Sequence, residues 1–208
     1  MPHIGSWNTW GLNSSKKIWS VQNWIKSHHL DVIGLIETKV TLSNLPRVER
    51  NLNLLDWDFF SNATVDSPCR ILVGWNTQAY SLTNFHYTPQ WITCDALSHK
   101  TQISTKLTFV YGHNSPSDRK PLWDYIVEPS PSIAIALGSS WGTSMPLCSL
   151  TTAPGGDSRW LGHHNDFHSA THQAQTLYPS LHGHELHLDQ WAAWSCQYPE
   201  EARPGHGE

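Results

Sequence analysis

Polar side chains stand at the ends of three apolar runs in this sequence. Asn8 ends the run HIGSWN, Glu37 ends DVIGLIE, and Tyr111 and Asn114 close the stretch FVYGHN. Strand ends are where mixed α/β proteins gather catalytic groups, because the loops there bend side chains into a shared crevice. A carboxylate that ends a buried strand is costly unless it is paired, hydrogen-bonded or bound to a metal. Together the four residues indicate one polar site.

Each member of this set also has an ordinary structural explanation. Glu37 could simply enter solvent or pair with Lys39, two positions along the chain. Asn8 taken alone is typical of a turn, and Tyr111 taken alone is typical of a core. The argument for a site therefore depends on the set and on its order along the chain.

The elements that must position these residues follow from hydrophobic periodicity. Ile18, Val21 and Ile25 recur at helical spacing in the segment that follows Ser14 and Ser15, either of which could cap a helix. The pattern predicts helices at 16–29 and 119–127, and strands at 3–8, 31–37, 57–61, 70–75, 90–96, 103–112 and 132–138. One β-α-β unit followed by a run of strands predicts a mixed α/β or α+β sandwich.

Composition narrows the classes of function. The 208 residues carry a formal net charge of -4 and only 14% charged residues, which argues mildly against strong affinity for phosphate backbones. The four cysteines lack the C-x-x-C spacing of a zinc site and form no evident disulfide framework. No apolar run is long enough to cross a bilayer, and the first residues do not resemble a signal peptide. We therefore expect an intracellular protein that does not associate with membranes.

The composition changes within the chain. Periodicity disappears after Gly138, and eight of the fourteen histidines fall after residue 156. We expect little regular structure in 139–208, whose last residues, 200–208, resemble a solvated end. A histidine-rich metal-binding or interaction module in 157–208 is one alternative, because clustered histidines such as those in HGHELH capture metals.

The segments around the polar set resemble a known family. SWNTWGLNSSKK, NWIKSHHLDVIGLIETK, RILVGWN and FVYGHNSPSDRKPLWDYI are similar to the endonuclease/exonuclease/phosphatase family, with the greatest similarity to the endonuclease domains of plant LINE-type (non-LTR) retrotransposons. The resemblance covers roughly residues 3–138. Each motif alone is weak, but SWN, ETK and VYGHN in this order are fairly specific.

The resemblance implies a four-layer α/β (α+β) sandwich that hydrolyses DNA phosphodiester bonds with a divalent cation, Mg²⁺ or Mn²⁺. It implies that Glu37 is the metal ligand with Asn8 beside it, and that Tyr111 and Asn114 position the phosphate. Carboxylate and amide oxygens are indeed the donors that a hard cation prefers. The family further suggests DNA as a weakly bound partner and a nuclear location.

The sequence departs from the family after the predicted strand SIAIALG. The family continues with a GDFN-like motif whose Asp and Asn orient water and phosphate, but here Ser139, Ser140 and Trp141 follow. The codons of WGTSMPL (141–147), read one base out of register, permit GDFNAI, and 155–175 resembles the family again in frame. Read with the opposite offset, 185–191 and 200–204 permit further family-like segments. A frameshift hypothesis accounts for these observations together.

These considerations predict two parts, 1–138 as the N-terminal part of the family domain and 139–208 as a degenerate, frameshifted tail. The chain also stops before the Ser-Asp-His segment that closes the family domain, so we expect a truncated copy with impaired or lost catalysis. An active nuclease or phosphatase with a rearranged site is the other alternative. It would need a new carboxylate near Glu37, for which Asp157 and Asp166 are the candidates.

Overall fold

The computed structural model of the protein describes residues 3–113, 115, 117–127 and 133–137. The predicted boundary between 138 and 139 and everything assigned to 139–208 lie outside these residues, as does Asn114. The histidine-rich segment and the carboxylates Asp157 and Asp166 are outside them as well.

The described chain contains eight strands and three helices. The strands are β1 Ile4–Asn8, β2 Val32–Val40, β3 Trp57–Ser61, β4 Cys69–Asn76, β5 Tyr80–Tyr87, β6 Trp91–Ser98, β7 Ser104–Val110 and β8 Ile133–Leu137. The helices are α1 Ser15–Ser27, α2 Leu45–Leu52 and α3 Lys120–Val127, with single 3-10 turns at Leu42–Asn44 and Ser117–Arg119.

The strands form two four-stranded sheets, which we call sheet A and sheet B. Sheet A has the order β1-β2-β4-β3, and sheet B has the order β5-β6-β7-β8. The β1–β2 and β7–β8 pairs are parallel and all the other pairs are antiparallel. Each parallel pair is joined through a helix, α1 in sheet A and α3 in sheet B, as a parallel connection requires. The carboxyl ends of β1 and β2 therefore lie side by side.

Three apolar clusters hold the layers together. The first packs α1 and α2 against sheet A through residues such as Val21, Val48 and Leu35. The second fills the space between the two sheets with Ile36 and Phe109 among others. The third packs Leu122 and Ile126 of α3 against Trp91 and Val110 of sheet B. The order helix, sheet, sheet, helix confirms the predicted α+β sandwich.

Local sequence explains where α1 begins. The Ser14 hydroxyl accepts a hydrogen bond from the Lys17 amide at 3.4 Å, so Ser14 is the N-cap and satisfies one of the free amides of the first turn. Ile18, Val21, Trp24 and Ile25 are buried along one face of the helix. None of the helices in the described ranges is long and apolar enough to cross a membrane.

The sequence prediction missed two elements. Helix α2 lies in a stretch interpreted as a polar connection, because its apolar face rests on only Leu45, Val48 and Leu52. Strand β5 was not predicted because its alternation of apolar and polar residues fails after Leu82. There the register with β6 shifts, and Asn84 takes a positive φ of 54°. A β-bulge of this kind interrupts the strict alternation of side chains between the two faces of a strand, and that alternation is the pattern by which a strand is predicted.

Candidate active site

Asn8 and Glu37 meet where the parallel pairing of β1 with β2 ends. Asn8 pairs in register with Ile36, so Glu37 lies one residue beyond the parallel ladder. The Asn8 amide donates a hydrogen bond from Nδ2 to Glu37 Oε1 at 3.1 Å. The Glu37 side chain is 13% exposed, so the carboxylate opens to solvent only on one side. The structure thus brings together two residues that lie 29 positions apart in the sequence.

The backbone around Glu37 is unusual. Glu37 and Lys39 have φ values of 54° and 52°, and the register of β2 against β4 is irregular between Ile36 and Val40. Trp10 and Gly11 in the facing loop have φ values of 49° and 94°. Non-glycine residues with left-handed backbone are uncommon, and such strain concentrates at functional sites. The surrounding structure must therefore force this conformation on the site.

Backbone hydrogen bonds hold the loop after β1 and the bulge of β2 in this conformation. The Gly11 amide donates to the Glu37 carbonyl at 2.7 Å, and the Leu12 amide donates to the Thr38 carbonyl at 2.7 Å. The fully buried Thr38 hydroxyl donates to the Cys69 carbonyl at 2.9 Å, which ties the bulge to β4. The loop after β1, the bulge of β2 and the start of β4 are thereby locked into one unit.

Two lysines surround the carboxylate. Lys39 Nζ lies 3.9 Å from Glu37 Oε2, and its side chain is 52% exposed, so this ion pair is long and screened by water. Lys17 Nζ donates to the Thr9 carbonyl at 2.9 Å and to the Trp10 carbonyl at 2.6 Å. Partial burial and then the nearby charge of Lys39 lower the pKa of Lys17. The alternative in which Glu37 pairs with Lys39 is thus seen, but as a weak contact that leaves the carboxylate available.

Tyr111 follows β7 in sheet B and is connected to sheet A through Arg70. The guanidinium carbon of Arg70 lies 5.4 Å from the centroid of the buried Tyr111 ring, within the range of a cation–π contact. Arg70 follows Cys69, which pairs with Val40 at the end of the β2 bulge. Tyr111 therefore faces the same end of the sandwich as Glu37.

The buried amide of Asn62 fixes the backbone that carries Arg70. Asn62 Oδ1 accepts hydrogen bonds from the Arg70 amide at 3.0 Å and the Ile71 amide at 2.9 Å. Its Nδ2 donates to the Thr88 carbonyl at 2.9 Å and to the Pro89 carbonyl at 3.3 Å. One side chain thus joins the start of β4 in sheet A to the β5–β6 turn of sheet B.

The loop after Tyr111 is held by two further polar residues. Gln90 accepts a hydrogen bond from the Tyr111 amide at its carbonyl, 2.7 Å away, and donates from Nε2 to the Asp118 carbonyl at 2.8 Å. The buried Arg119 donates from Nε to the His113 carbonyl. Asn114 belongs to this loop but is outside the described residues, so its predicted role stays a prediction.

The donor set suits a hard divalent cation bound through one carboxylate. Mg²⁺ keeps several waters in proteins and is held by one or two carboxylates together with substrate phosphates. Glu37 supplies one carboxylate with Oε2 turned away from Asn8. Asn8 Oδ1 accepts a hydrogen bond from the Trp10 amide at 3.1 Å, while its Nδ2 faces Glu37. In this geometry Glu37 would be the direct oxygen donor to a bound cation, and Asn8 would orient the carboxylate.

No cluster of three or more His, Cys, Asp or Glu side chains that could hold a metal occurs within the described ranges. Within these ranges, Glu37 is the carboxylate that the Asn8 amide orients.

The sequence pattern singled out Asn8, Glu37 and Tyr111 as candidates, whereas Lys17 and Arg70, which the structure places near them, were not considered. Arg70 could have been found, because it is a lone charge at the head of the apolar strand RILVGW. Lys17 gave no such signal, since a lysine in the first turn of a helix is usually solvated. Its contact with the loop after β1 depends on how α1 packs.

Two solved structures share this fold, and a third is more distantly similar. A humanised form of TDP2 from D. rerio with 14 mutations matches with a TM-score of 0.50 and 10% identity, over 64% of this chain and 59% of that one. D. rerio TDP2 complexed with a single-strand DNA product matches with a TM-score of 0.50 and 10% identity, over 64% and 58%. An AP endonuclease from Archaeoglobus fulgidus matches with a TM-score of 0.46 and 14% identity, over 62% and 52%. The chain thus spans less than two thirds of each of these structures.

Comparison of the sequence with known proteins identifies the family. None of the curated proteins matches this sequence significantly. A sequence model described as the Endonuclease/Exonuclease/phosphatase family matches residues 5–197, which include the Asn8–Glu37 pair and both sheets. Members of that family generally use divalent metal ions, in agreement with the donor set at Glu37. The chain belongs to the endonuclease/exonuclease/phosphatase family.

Proposed function

We propose that this chain is a retrotransposon-derived phosphodiesterase of the Mg²⁺-dependent type, with DNA as its ancestral substrate and with impaired catalysis. The observation that carries the proposal is the contact between Asn8 and Glu37 at 3.1 Å, at the ends of adjacent parallel strands. An oriented, mostly buried carboxylate is a suitable oxygen ligand for a hard cation, and the family suggests the chemistry.

In this proposal each residue of the site has a distinct task. Glu37 would hold Mg²⁺ or Mn²⁺, and Asn8 keeps the carboxylate in place. A bound divalent cation supplies Lewis acidity that polarises a phosphate oxygen. Arg70 has no ion pair within the part of the chain that the structure describes, so its charge is free to attract a phosphate. Tyr111 and Asn114 would position that phosphate.

The proposed retrotransposon origin is supported by sequence. The segments SWNTWGLN, LIETK and VYGHN occur in the order and at the distances of plant LINE-type endonucleases. A DNA substrate is consistent with the fold, because D. rerio TDP2 was crystallised with a single-strand DNA product.

The proposed impairment follows from what comes after SIAIALG. The family places an Asp there to align the attacking water, and this sequence has Ser139, Ser140 and Trp141. A serine brings no negative charge, and catalytic groups that act as a unit lose orders of magnitude in rate when one is removed. The off-register GDFNAI beneath WGTSMPL supports a frameshift as the cause.

Two measurements test the proposal. In a plasmid-nicking assay with Mg²⁺, the wild type should show no nicking above a Glu37→Ala control, since the water-aligning Asp is missing. In a Mn²⁺-binding titration followed by electron paramagnetic resonance, the wild type should bind Mn²⁺ weakly and Glu37→Ala should not bind it. Asn8→Ala should bind it less tightly, because the carboxylate loses its orienting hydrogen bond.

The two measurements and the gene sequence test separate parts of the proposal. Mg²⁺-dependent nicking that Glu37→Ala abolishes would refute the impairment and favour the rearranged active site. Equal Mn²⁺ binding by the wild type and Glu37→Ala would refute the metal site itself. Genomic DNA across codons 138–208 without GDFN-like triplets off register would refute the frameshift.

A further inference from the structure

Trp10 is a large apolar side chain exposed beside the site. It is 59% exposed, although it lies two residues after Asn8 in the loop that faces Glu37. Exposing an indole sacrifices favourable burial of apolar area. The described part of the chain gives it no ring partner, whereas Trp7 of β1 and Trp24 of α1 pack against each other with their ring centroids 5.3 Å apart.

The backbone of Trp10 is fixed by the site itself. Its amide donates to Asn8 Oδ1 at 3.1 Å, and its carbonyl accepts from Lys17 Nζ at 2.6 Å. The next residue, Gly11, donates its amide to the Glu37 carbonyl at 2.7 Å. Trp10 also has a φ of 49°, which is rare for a bulky residue. The indole is therefore carried on a rigid, strained support, so little conformational entropy of the backbone would be lost on binding a ligand.

Two lysines lie in the same region as the backbone of Trp10. Lys17 is bonded to its carbonyl, and Lys39 lies beside Glu37, close enough to Lys17 for their charges to interact. Proteins that bind single-stranded nucleic acid combine cations that follow the backbone with exposed aromatic rings that stack on bases. In a duplex both faces of a base are already stacked, so a ring of this kind selects unpaired bases.

We propose that Trp10 is a stacking platform for an unpaired nucleobase next to the phosphate held at Glu37, and that the site prefers single-stranded DNA to duplex DNA. This inference rests on the proposed function and goes beyond it, because it names a substrate-contact residue and the form of DNA that is recognised. Lys17 and Lys39 attract the flanking phosphates, and Trp10 contributes the contact with the base.

The test is equilibrium binding of the full chain to a fluorescein-labelled single-stranded oligodeoxynucleotide of about ten nucleotides, within the range of known site sizes, measured by anisotropy in Mg²⁺, the cation that the proposed phosphate contact at Glu37 needs. Trp10→Ala should weaken binding by about 5- to 150-fold, the range for one base–aromatic stack. Trp10→Phe should retain most of the affinity. Trp19→Ala is the matched control, because Trp19 is 63% exposed on α1 and should change the affinity less than about twofold.

An oligonucleotide of the same length made of abasic sites separates stacking from charge. Wild type and Trp10→Ala should bind it equally, since no base is present, and Lys39→Ala should bind it more weakly than either. Wild-type affinity for a duplex of the same sequence should be lower than for the single strand.

Each contrary result would refute a specific part of the proposals. If the wild type binds the oligonucleotide and Lys39→Ala weakens that binding while Trp10→Ala does not, stacking is refuted and the proposed function stands. If the wild type binds neither form of DNA, both the stacking and the DNA substrate are refuted. Equal affinity for duplex and single strand refutes the preference.

Discussion

Gly34 provides the sharpest test of how the two sheets pack. It lies in the middle of β2, and a Cβ built on it would be 2.1 Å from Cδ1, 2.7 Å from Cε1 and 3.0 Å from Cγ of Phe109 in sheet B. Carbon atoms in contact are normally separated by about 3.5 Å or more. The ring would therefore have to move by roughly 1.5 Å, judged against that spacing, although Phe109 is completely buried among close-packed side chains. Overpacking of this kind costs about 1–3 kcal/mol, and we expect Gly34→Ala to lie near the upper end.

The assay is urea unfolding of the full chain, followed by far-UV circular dichroism. Gly112→Ala is the control, because no described atom lies within 4 Å of its Cβ position, and we expect its free energy of unfolding to change by less than about 0.5 kcal/mol. Phe109→Leu in the Gly34→Ala background should make room for the new methyl group. In a double-mutant cycle the two substitutions should therefore couple favourably by about 1–2 kcal/mol. A Gly34→Ala protein as stable as the wild type, or zero coupling with Phe109→Leu, would refute the close packing of β2 on β7.

Two further predictions concern buried polar groups. Asn62→Ala should lower the free energy of unfolding by about 2–3 kcal/mol, because it removes the partner of two backbone amides and two backbone carbonyls. Asn13→Ala, which removes one exposed hydrogen bond of 3.1 Å to the Lys39 carbonyl, should change it little. Equal urea midpoints for the two variants would contradict this. Burial raises the pKa of Cys69 to about 11 and that of Cys94 to about 12, whereas the thiols of the unfolded chain titrate at about pH 8.5. The stabilising contribution of the two protonated thiols is therefore complete below about pH 8.5 and is lost as the pH rises through 11. The urea midpoint of the wild type should therefore fall across this window more steeply than that of Cys69→Ala, and a parallel fall in the two proteins would be evidence against it.

Strongly periodic segments were predictable from the sequence. The strands DVIGLIE and RILVGW are apolar on both faces because helices cover one side of sheet A and sheet B covers the other, and such runs are unambiguous. Helix α1 was predicted with a two-residue overrun, since its apolar spacing is regular and its cap is a serine. Strand β5 was missed because half of its residues face solvent and a register shift interrupts it.

The site was only partly predictable, for a different reason. The ends of parallel strands in one sheet must lie together, so the approach of Asn8 to Glu37 follows from the β-α-β pattern alone. The contact of Arg70 with Tyr111 joins two sheets, and no local pattern encodes how sheets face each other. The left-handed backbone at Glu37 was equally hidden, because it results from the loop after β1 and from β4 acting on the bulge together.

Because of that left-handed backbone, selection for stable folding and selection for a carboxylate favour different residues at position 37. Glycine or asparagine would adopt a φ of 54° more readily than glutamate does, so the residue best suited to the chain is not the one best suited to the chemistry. Under selection for folding alone, mutational drift at this position would favour loss of the carboxylate.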